Sequence, residues 1–159
     1  MSQIFSIQVR KEFATTEKMS TYLVAFVICD FALSSEQTPT HNITVSVIAA
    51  KDKLDQADFA LHTAAKITEH YEKYFGIRYP LPKQGSGHYY QSFISITPIV
   101  LIKDLIAIPD FGAGAMENWG LITYRETSLL CKENETSAAA VQWVAIVVAH
   151  ELAHQVTGY

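Results

Sequence analysis

The amino-acid sequence predicts an α+β chain, with β-type segments before about residue 50 and helical ones after it. Three observations carry this. Ahead of residue 50 the apolar side chains come in short β-branched runs that alternate with polar ones, the period of a half-buried strand. Beyond it they recur every three or four residues, the period of a helix with one apolar face. The composition, 49% hydrophobic and 18% charged over 159 residues, is that of a chain able to bury a core and not of a disordered one.

Thr21 to Cys29, rich in β-branched and aromatic residues, is expected as one strand, and Asn42 to Ile48, in near-strict alternation, as another. Ser34-Ser35-Glu36-Gln37-Thr38-Pro39-Thr40 reads as the turn between them. A helix is expected from Asp55, with an apolar face of Ala57, Ala60, Leu61, Ala64, Ala65, Ile67, Tyr71 and Tyr74 and its end at Gly76. The aromatic group Tyr71, Tyr74 and Phe75 is read as core. Gln84 to Lys103 would ordinarily be a surface loop, yet Phe93 to Ile102 is more apolar and β-branched than a solvated loop tolerates. Pro109 to Glu126 reads as a glycine-rich turn running into an apolar strand. The apolar run Ala138 to Ala149 predicts a helix buried on most sides, too short and too directly joined to a His/Glu cluster to span a membrane. The chain carries no internal repeat and no low-complexity tract.

That last run leads into His150-Glu151-Leu152-Ala153-His154. On a helix, positions i and i+4 share a face, so both imidazoles can grip one metal ion, with Glu151 between them placed to act as a base on a water that the metal activates. With 6 histidines in 159 residues, an accidental match of this kind is expected in about one such chain in 70. The plain alternative is a helix end with two satisfied histidines, and the buried helix leading into the cluster argues against it. A catalytic zinc takes three protein ligands and keeps a fourth position for water or substrate. His150 and His154 supply two; the third ligand is absent from this chain.

Gly114-Ala115-Met116-Glu117-Asn118, followed by Trp119-Gly120, resembles the substrate-anchoring motif of the membrane alanyl aminopeptidase family of zinc exopeptidases. In that family, as here, the motif precedes the zinc helix by a few tens of residues. Met19-Ser20-Thr21-Tyr22-Leu23-Val24-Ala25-Phe26, Tyr79-Pro80-Leu81-Pro82-Lys83 and Asp104-Leu105-Ile106-Ala107-Ile108-Pro109-Asp110-Phe111 are similar to the same family. The likeness is greatest to its oxytocinase-like branch, which includes the insulin-regulated and endoplasmic-reticulum aminopeptidases.

The resemblance implies residues 1–50 as the C-terminal part of an N-terminal β-domain and 51–159 as an incomplete thermolysin-like catalytic domain, with 84–103 an insert relative to the family. It implies one Zn2+ per complete active site, held by His150, His154 and a glutamate on a following helix, and Glu151 as the catalytic base. Gly114, Ala115, Met116, Glu117 and Asn118 would bind substrate, a peptide with a free N-terminus. The physical logic is direct: an exopeptidase must recognise an α-ammonium group, and Glu117, an acid in a glycine-rich turn beside an apolar strand, can pin one at a fixed distance from the metal. Gly112, Gly114 and Ala115 keep the backbone bare for a peptide to pair along the strand edge. For an isolated Gly-Ala-Met-Glu the plain alternative is a surface turn with a solvated glutamate; the zinc motif downstream decides against it.

The resemblance further implies membrane attachment through a segment absent here, homodimer formation in the full-length family, and a catalytic domain in the extracellular space or the endoplasmic reticulum lumen. Where the family continues after Gln155 with Trp-Phe-Gly-Asn, this chain reads Val156-Thr157-Gly158-Tyr159, and Tyr159 matches no catalytic tyrosine. The insert, Met1 to about Val9 and the last four residues are expected to be translated intron sequence.

The net charge of −4 leaves no basic footprint for nucleic acid. Cys29 and Cys131 are read as two free or buried thiols. His41, His62, His70 and His88 lack ligand spacing and are assigned surface roles. Asn42-Ile43-Thr44 and Asn134-Glu135-Thr136 are sequons that would suit a luminal or extracellular glycoprotein. Two readings follow. One is a zinc metalloaminopeptidase that releases N-terminal amino acids by attack of a metal-activated water. The other is a truncated, non-catalytic product without the third zinc ligand, at most a peptide-binding or interaction fragment. An endopeptidase is disfavoured because Glu117 would block an extended chain.

Overall fold

Thr44-Val45-Ser46-Val47-Ile48-Ala49 is the segment on which the sheet is built, in a computed structural model that describes residues 18–77, 95–96, 103–132 and 134–157. Expectations placed on residues 1–17, on Tyr79–Lys83, on most of 84–103, on His88 and on Tyr159 lie outside the described residues. The strands are β1 (Ile28–Cys29), β2 (Ala32–Gln37), β3 (Thr44–Ala49), β4 (Ser95–Ile96), β5 (Lys103–Ile108), β6 (Ala115–Met116) and β7 (Leu121–Arg125). Two helices accompany them, α1 (Asp58–Phe75) and α2 (Ala138–Thr157). Five strands form one mixed sheet in the order β2-β3-β5-β7-β6, and β1 and β4 pair separately. The central contacts, β3 with β5 and β5 with β7, are parallel; the outer pairs, β2 with β3 and β6 with β7, are antiparallel.

The expected α+β class is what the chain adopts. Because side chains alternate across a strand, β3 and β5 send Val45, Val47, Leu105 and Ala107 to one face and Ile48 and Ile106 to the other. The first face is covered by the stripe Ala60, Leu61, Ala64 and Ala65 of α1 and by Val144, Val147, Val148 and Leu152 of α2. Each such fully buried Val or Leu side chain contributes about 1.5–3 kcal/mol. The second face is covered by the extended segment carrying Ala25, Val27, Cys29, Phe31 and Leu33. Gly76 closes α1 at φ 64, ψ 17, the left-handed conformation that glycine adopts without a Cβ penalty.

Several expectations are corrected. Thr21 to Cys29 is a 3-10 turn, Thr21–Leu23, followed by extended chain, with ladder pairing only at Ile28 and Cys29 among the described residues. From Leu23 on burial alternates, with Leu23, Ala25, Val27 and Cys29 inward and Val24, Phe26 and Ile28 exposed. Burial of one face therefore sets the pattern without a partner strand along most of its length. Ser34 to Gln37 is not a turn but the last four residues of β2, where Ser35 Oγ donates to Ser46 Oγ at 3.1 Å across the ladder. Serine's turn preference yields there to pairing with β3, and the chain reverses at Thr38–Ile43 instead, with Asn42 at φ 52. Tyr74 is 73% exposed, and Phe75 is also exposed; only Tyr71 of that group packs on the core. The helix α2 is buried along one stripe, not on most sides: Trp143 is 51% exposed and Ile146 lies beside it on the open face. No helix among the described residues is long and apolar enough to cross a membrane.

Both cysteines are free thiols. His41 Nδ1 lies 2.9 Å from Glu72 Oε2, and Thr40 donates its hydroxyl to Glu69, so the β2–β3 reversal is tied to α1. His62 pairs with Glu36, and His70 stacks on Tyr74. These three histidines hold the surface roles expected of them.

Candidate active site

His150 and His154 stand one turn apart on α2, and their Nε2 atoms approach to 3.2 Å. At that distance the two nitrogens either share a proton or aim their lone pairs at a common point. Two imidazole nitrogens on a tetrahedral zinc, each about 2.05 Å from the metal, would be about 3.3 Å apart. The pair therefore fits two adjacent ligand positions of one ion. Among the described residues no group of three or more His, Cys, Asp and Glu side chains gathers to hold a metal.

Glu151, the next residue round the helix from His150, is buried. Its Oε2 is buried without a hydrogen-bond partner among the described residues, and its neighbour Leu152 is fully buried. Burial raises the Glu151 carboxyl above its ordinary range; the positive potential of His150 opposes this, and the charge of Glu117 adds to it. The two motifs meet in space although some thirty residues separate them, because Gln155, next to His154, donates from Nε2 to the Glu117 carbonyl oxygen at 2.8 Å. Tyr124 of β7 lies fully buried nearby, its phenol pushed well up by desolvation and by Glu151.

The stretch carrying Glu117 is held from several sides. Arg125 donates from Nε to Phe111 O at 2.8 Å and from Nη2 to Gly112 O at 3.0 Å, bracing the glycine-rich turn. Ala115 and Met116 form β6, paired with Tyr124 and Thr123 of β7. Since β6 ends the strand order, its outer edge has no ladder partner among the described residues. A Cβ added at Gly112 would meet nothing within 4 Å, and one at Gly114 would meet only Ser128 Oγ at 3.8 Å. Packing within the chain does not demand glycine at either position.

Asn118 is buried, accepting from Thr123 Oγ1 at 3.0 Å and donating to Leu23 O at 3.4 Å. Trp119 N–H also donates to Leu23 O. Gly120 turns the chain at φ 86 into β7. The 3-10 turn before β1 and the motif thus contact each other directly.

The structure sets His150, Glu151 and His154 on α2, holds the backbone of Glu117 to that helix through Gln155, and sets Gly114, Ala115 and Met116 on the neighbouring sheet edge. It turns Asn118 inward, where it braces the turn. Sequence reasoning missed Gln155, which is 1% exposed and bonds to both ends of the Glu117–Gly120 turn. The available signal was positional: Gln155 continues the buried stripe Val144, Val148, Glu151 and Leu152, where a polar side chain demands partners. It also missed Tyr71, whose hydroxyl donates to Ala149 O at 3.1 Å and couples α1 to the turn of α2 just before His150.

The chain is similar to known proteins. The Peptidase family M1 domain matches residues 59–159. Endoplasmic reticulum aminopeptidase 2 of Homo sapiens is 50% identical over 143 residues, 90% of this chain. Endoplasmic reticulum aminopeptidase 1 of Mus musculus is 48% identical over 147 residues, 92% of the chain, and aminopeptidase M1 of Arabidopsis thaliana is 47% identical over 137 residues, 86% of it. The aligned part is 13% of the human and plant relatives and 14% of the mouse one.

Proposed function

The chain belongs to peptidase family M1, and on that premise we propose that it carries the first part of the active site of a zinc metalloaminopeptidase acting on peptides with a free N-terminus. The observation that carries the proposal is the convergence of the His150 and His154 Nε2 atoms at 3.2 Å, with the Glu117 backbone bonded to Gln155 directly beyond them on α2. When bound, a zinc ion would supply Lewis-acid polarisation of the scissile carbonyl and lower the pKa of water. His150 and His154 would hold it as neutral imidazoles. Glu151, its carboxyl made more basic by burial, accepts a proton from the attacking water and returns it to the leaving amine. Glu117 binds the ammonium group and so places the first peptide bond at the site. The open edge of β6 accepts the peptide main chain, and bare glycines leave room for it.

The third ligand is proposed to come from outside the described residues. The alternative, a non-catalytic product able at most to bind peptides, is separated from this reading by one experiment: zinc content and affinity of the purified chain, with hydrolysis of leucyl and alanyl fluorogenic amides. One zinc per chain with chelator-sensitive release of the N-terminal residue would mean that a third ligand is recruited from within the chain, and the aminopeptidase reading would hold for the chain itself. Absence of both would leave the peptide-binding alternative.

Glu117→Gln tests the anchor. Removing one partner of a charge-assisted hydrogen bond costs about 1.5–3 kcal/mol, which is a rise of about 10- to 150-fold in KM for free peptides. Steady-state kinetics should show kcat moving far less, because the ammonium is held alike in ground and transition states.

Placement in the endoplasmic reticulum lumen or outside the cell, glycosylation at the exposed Asn42 and Asn134, membrane attachment through a segment outside this chain and homodimer formation complete the proposal. A division between an N-terminal β-domain and the thermolysin-like domain, expected near residue 50, is proposed to fall before β2 instead. The support is that β2 and β3 hydrogen-bond into the sheet that also contains β5, β6 and β7.

A further inference from the structure

We infer that Gln155 is a positioning residue that sets the distance between the Glu117 carboxylate and the His150–His154 pair, and so determines how far from a peptide's N-terminus the site acts. The inference rests on the aminopeptidase reading above. Its basis is a two-ended clamp. Gln155 Nε2 donates to the carbonyl oxygen of Glu117 at 2.8 Å, while its Oε1 accepts from the N–H of Gly120 at 3.0 Å. Glu117 C=O can only accept and Gly120 N–H can only donate, so this orientation of the amide is fixed by its partners.

The clamp joins the two halves of the site by the shortest covalent route. Gln155 follows His154 directly on α2, whose buried stripe of Val148, Leu152 and Gln155 is locked against the sheet. A shift of Gln155 along the helix axis would therefore carry both imidazoles with it. At the other end the bond is made to the backbone of Glu117 itself. Other hydrogen bonds of the motif run to the sheet and the 3-10 segment: Asn118 and Trp119 to Leu23, Thr123 to Asn118, and Arg125 to the glycine-rich turn. They fix the turn to the sheet and to the 3-10 segment, whereas Gln155 fixes it to the helix that bears the metal-binding pair. A recognition carboxylate and a reacting centre must keep a constant separation if only the first peptide bond is to be presented, and a misplacement of about 1 Å can cost about 100-fold in rate. A fully buried amide with both ends bonded is the stiffest tie available for that purpose.

The test uses the full chain with Gln155→Met and Gln155→Glu. Methionine keeps the length and loses both bonds. Glutamate can still accept from Gly120 but cannot donate to the Glu117 carbonyl. Wild-type and variant proteins are compared for zinc content, for KM and kcat on leucyl-peptide amides with a free N-terminus, and for hydrogen exchange at the Gly120 amide. With the anchor no longer held at a fixed distance from the metal-binding pair, kcat/KM is expected to fall about 100-fold in both variants, with KM raised and zinc content unchanged. Gly120 exchange should accelerate in Gln155→Met and stay slow in Gln155→Glu. If Gln155→Met does not fold, Gln155→Glu alone decides, because it severs the Glu117 end and spares the other.

Unchanged kcat/KM in Gln155→Glu, or a loss of activity that only follows a loss of zinc and thermal stability, would reduce Gln155 to a packing residue and overturn the inference while leaving the aminopeptidase reading intact. A zinc-loaded wild-type chain that releases no N-terminal residue would defeat that reading first, and with it any role for Gln155 beyond structure.

Discussion

Glu151→Gln is expected to lower turnover by about 10²–10⁴-fold, the range that a positioned general base contributes, while zinc content stays close to that of the unaltered protein. The substitution keeps the shape of the side chain and its place on the buried stripe of α2, so Leu152 and Val148 need not repack. What it removes is the ability to take up a proton and give it back. The geometry makes that ability specific to Glu151. Its Oε2 is buried without a hydrogen-bond partner among the described residues, and burial together with the Glu117 charge makes the carboxyl a better base than a solvated one. The imidazoles, by contrast, are directed towards each other and away from the core. Loss of metal and loss of turnover should therefore separate: His150→Ala or His154→Ala removes a ligand and should weaken both, whereas Glu151→Gln should leave zinc affinity nearly unchanged. Metal analysis by mass spectrometry alongside kcat on a leucyl amide decides the matter. Substantial turnover in Glu151→Gln would end the assignment of Glu151 as the base.

The parts of this site that could be read in the sequence are those where chemistry requires a residue type at a local spacing. The pair His150 and His154 is separated by one helical turn whatever the rest of the chain does, and Glu151 between them follows. The α1 stripe from Ala57 to Ala65 and its stop at Gly76 are local in the same sense. What could not be read depends on contacts distant in the chain. Gln155 acquires meaning only because α2 packs beside the Glu117 turn, 38 residues earlier. Ser34 and Ser35 are turn formers by preference and become strand residues because β3 offers them a ladder. Tyr74 and Phe75 have the right period for a core face but lie on the last turn of α1, exposed to solvent in the described structure. Asn118 is expected at the substrate by its place in the motif, and its side-chain bonds to Leu23 and Thr123, the first of them from chain 95 residues earlier, could not be read from the motif.

The second large effect expected is on stability, and it comes from Asp104 on β5. Its cross-strand neighbours are Ser46 and Leu121, so no cation faces it from either adjoining strand. It lies on the same sheet face as Ile48 and Ile106, and its Oδ1 is buried without a hydrogen-bond partner among the described residues. Desolvation pushes its carboxyl up to about 7, against a weaker lowering by a hydrogen bond with Ser46. In the unfolded chain the same group titrates near 3.8. Between those two values the folded protein holds a proton that the unfolded chain has released, so stability falls as pH rises. The contribution is complete below about pH 4, declines through the interval and is lost above about pH 7, a total of about 4 kcal/mol at 1.36 kcal/mol per unit. Other carboxylates titrate in the same interval, so the measurement is a difference: denaturant unfolding of the unaltered chain and of Asp104→Asn at pH 4.5, 6 and 8. Asparagine stays neutral throughout, and relative to it the unaltered chain should lose several kcal/mol between the first and last pH. A difference that stays flat across the series would mean that Asp104 is solvated or paired in the folded state, contrary to its position between two uncharged neighbours on a buried sheet face.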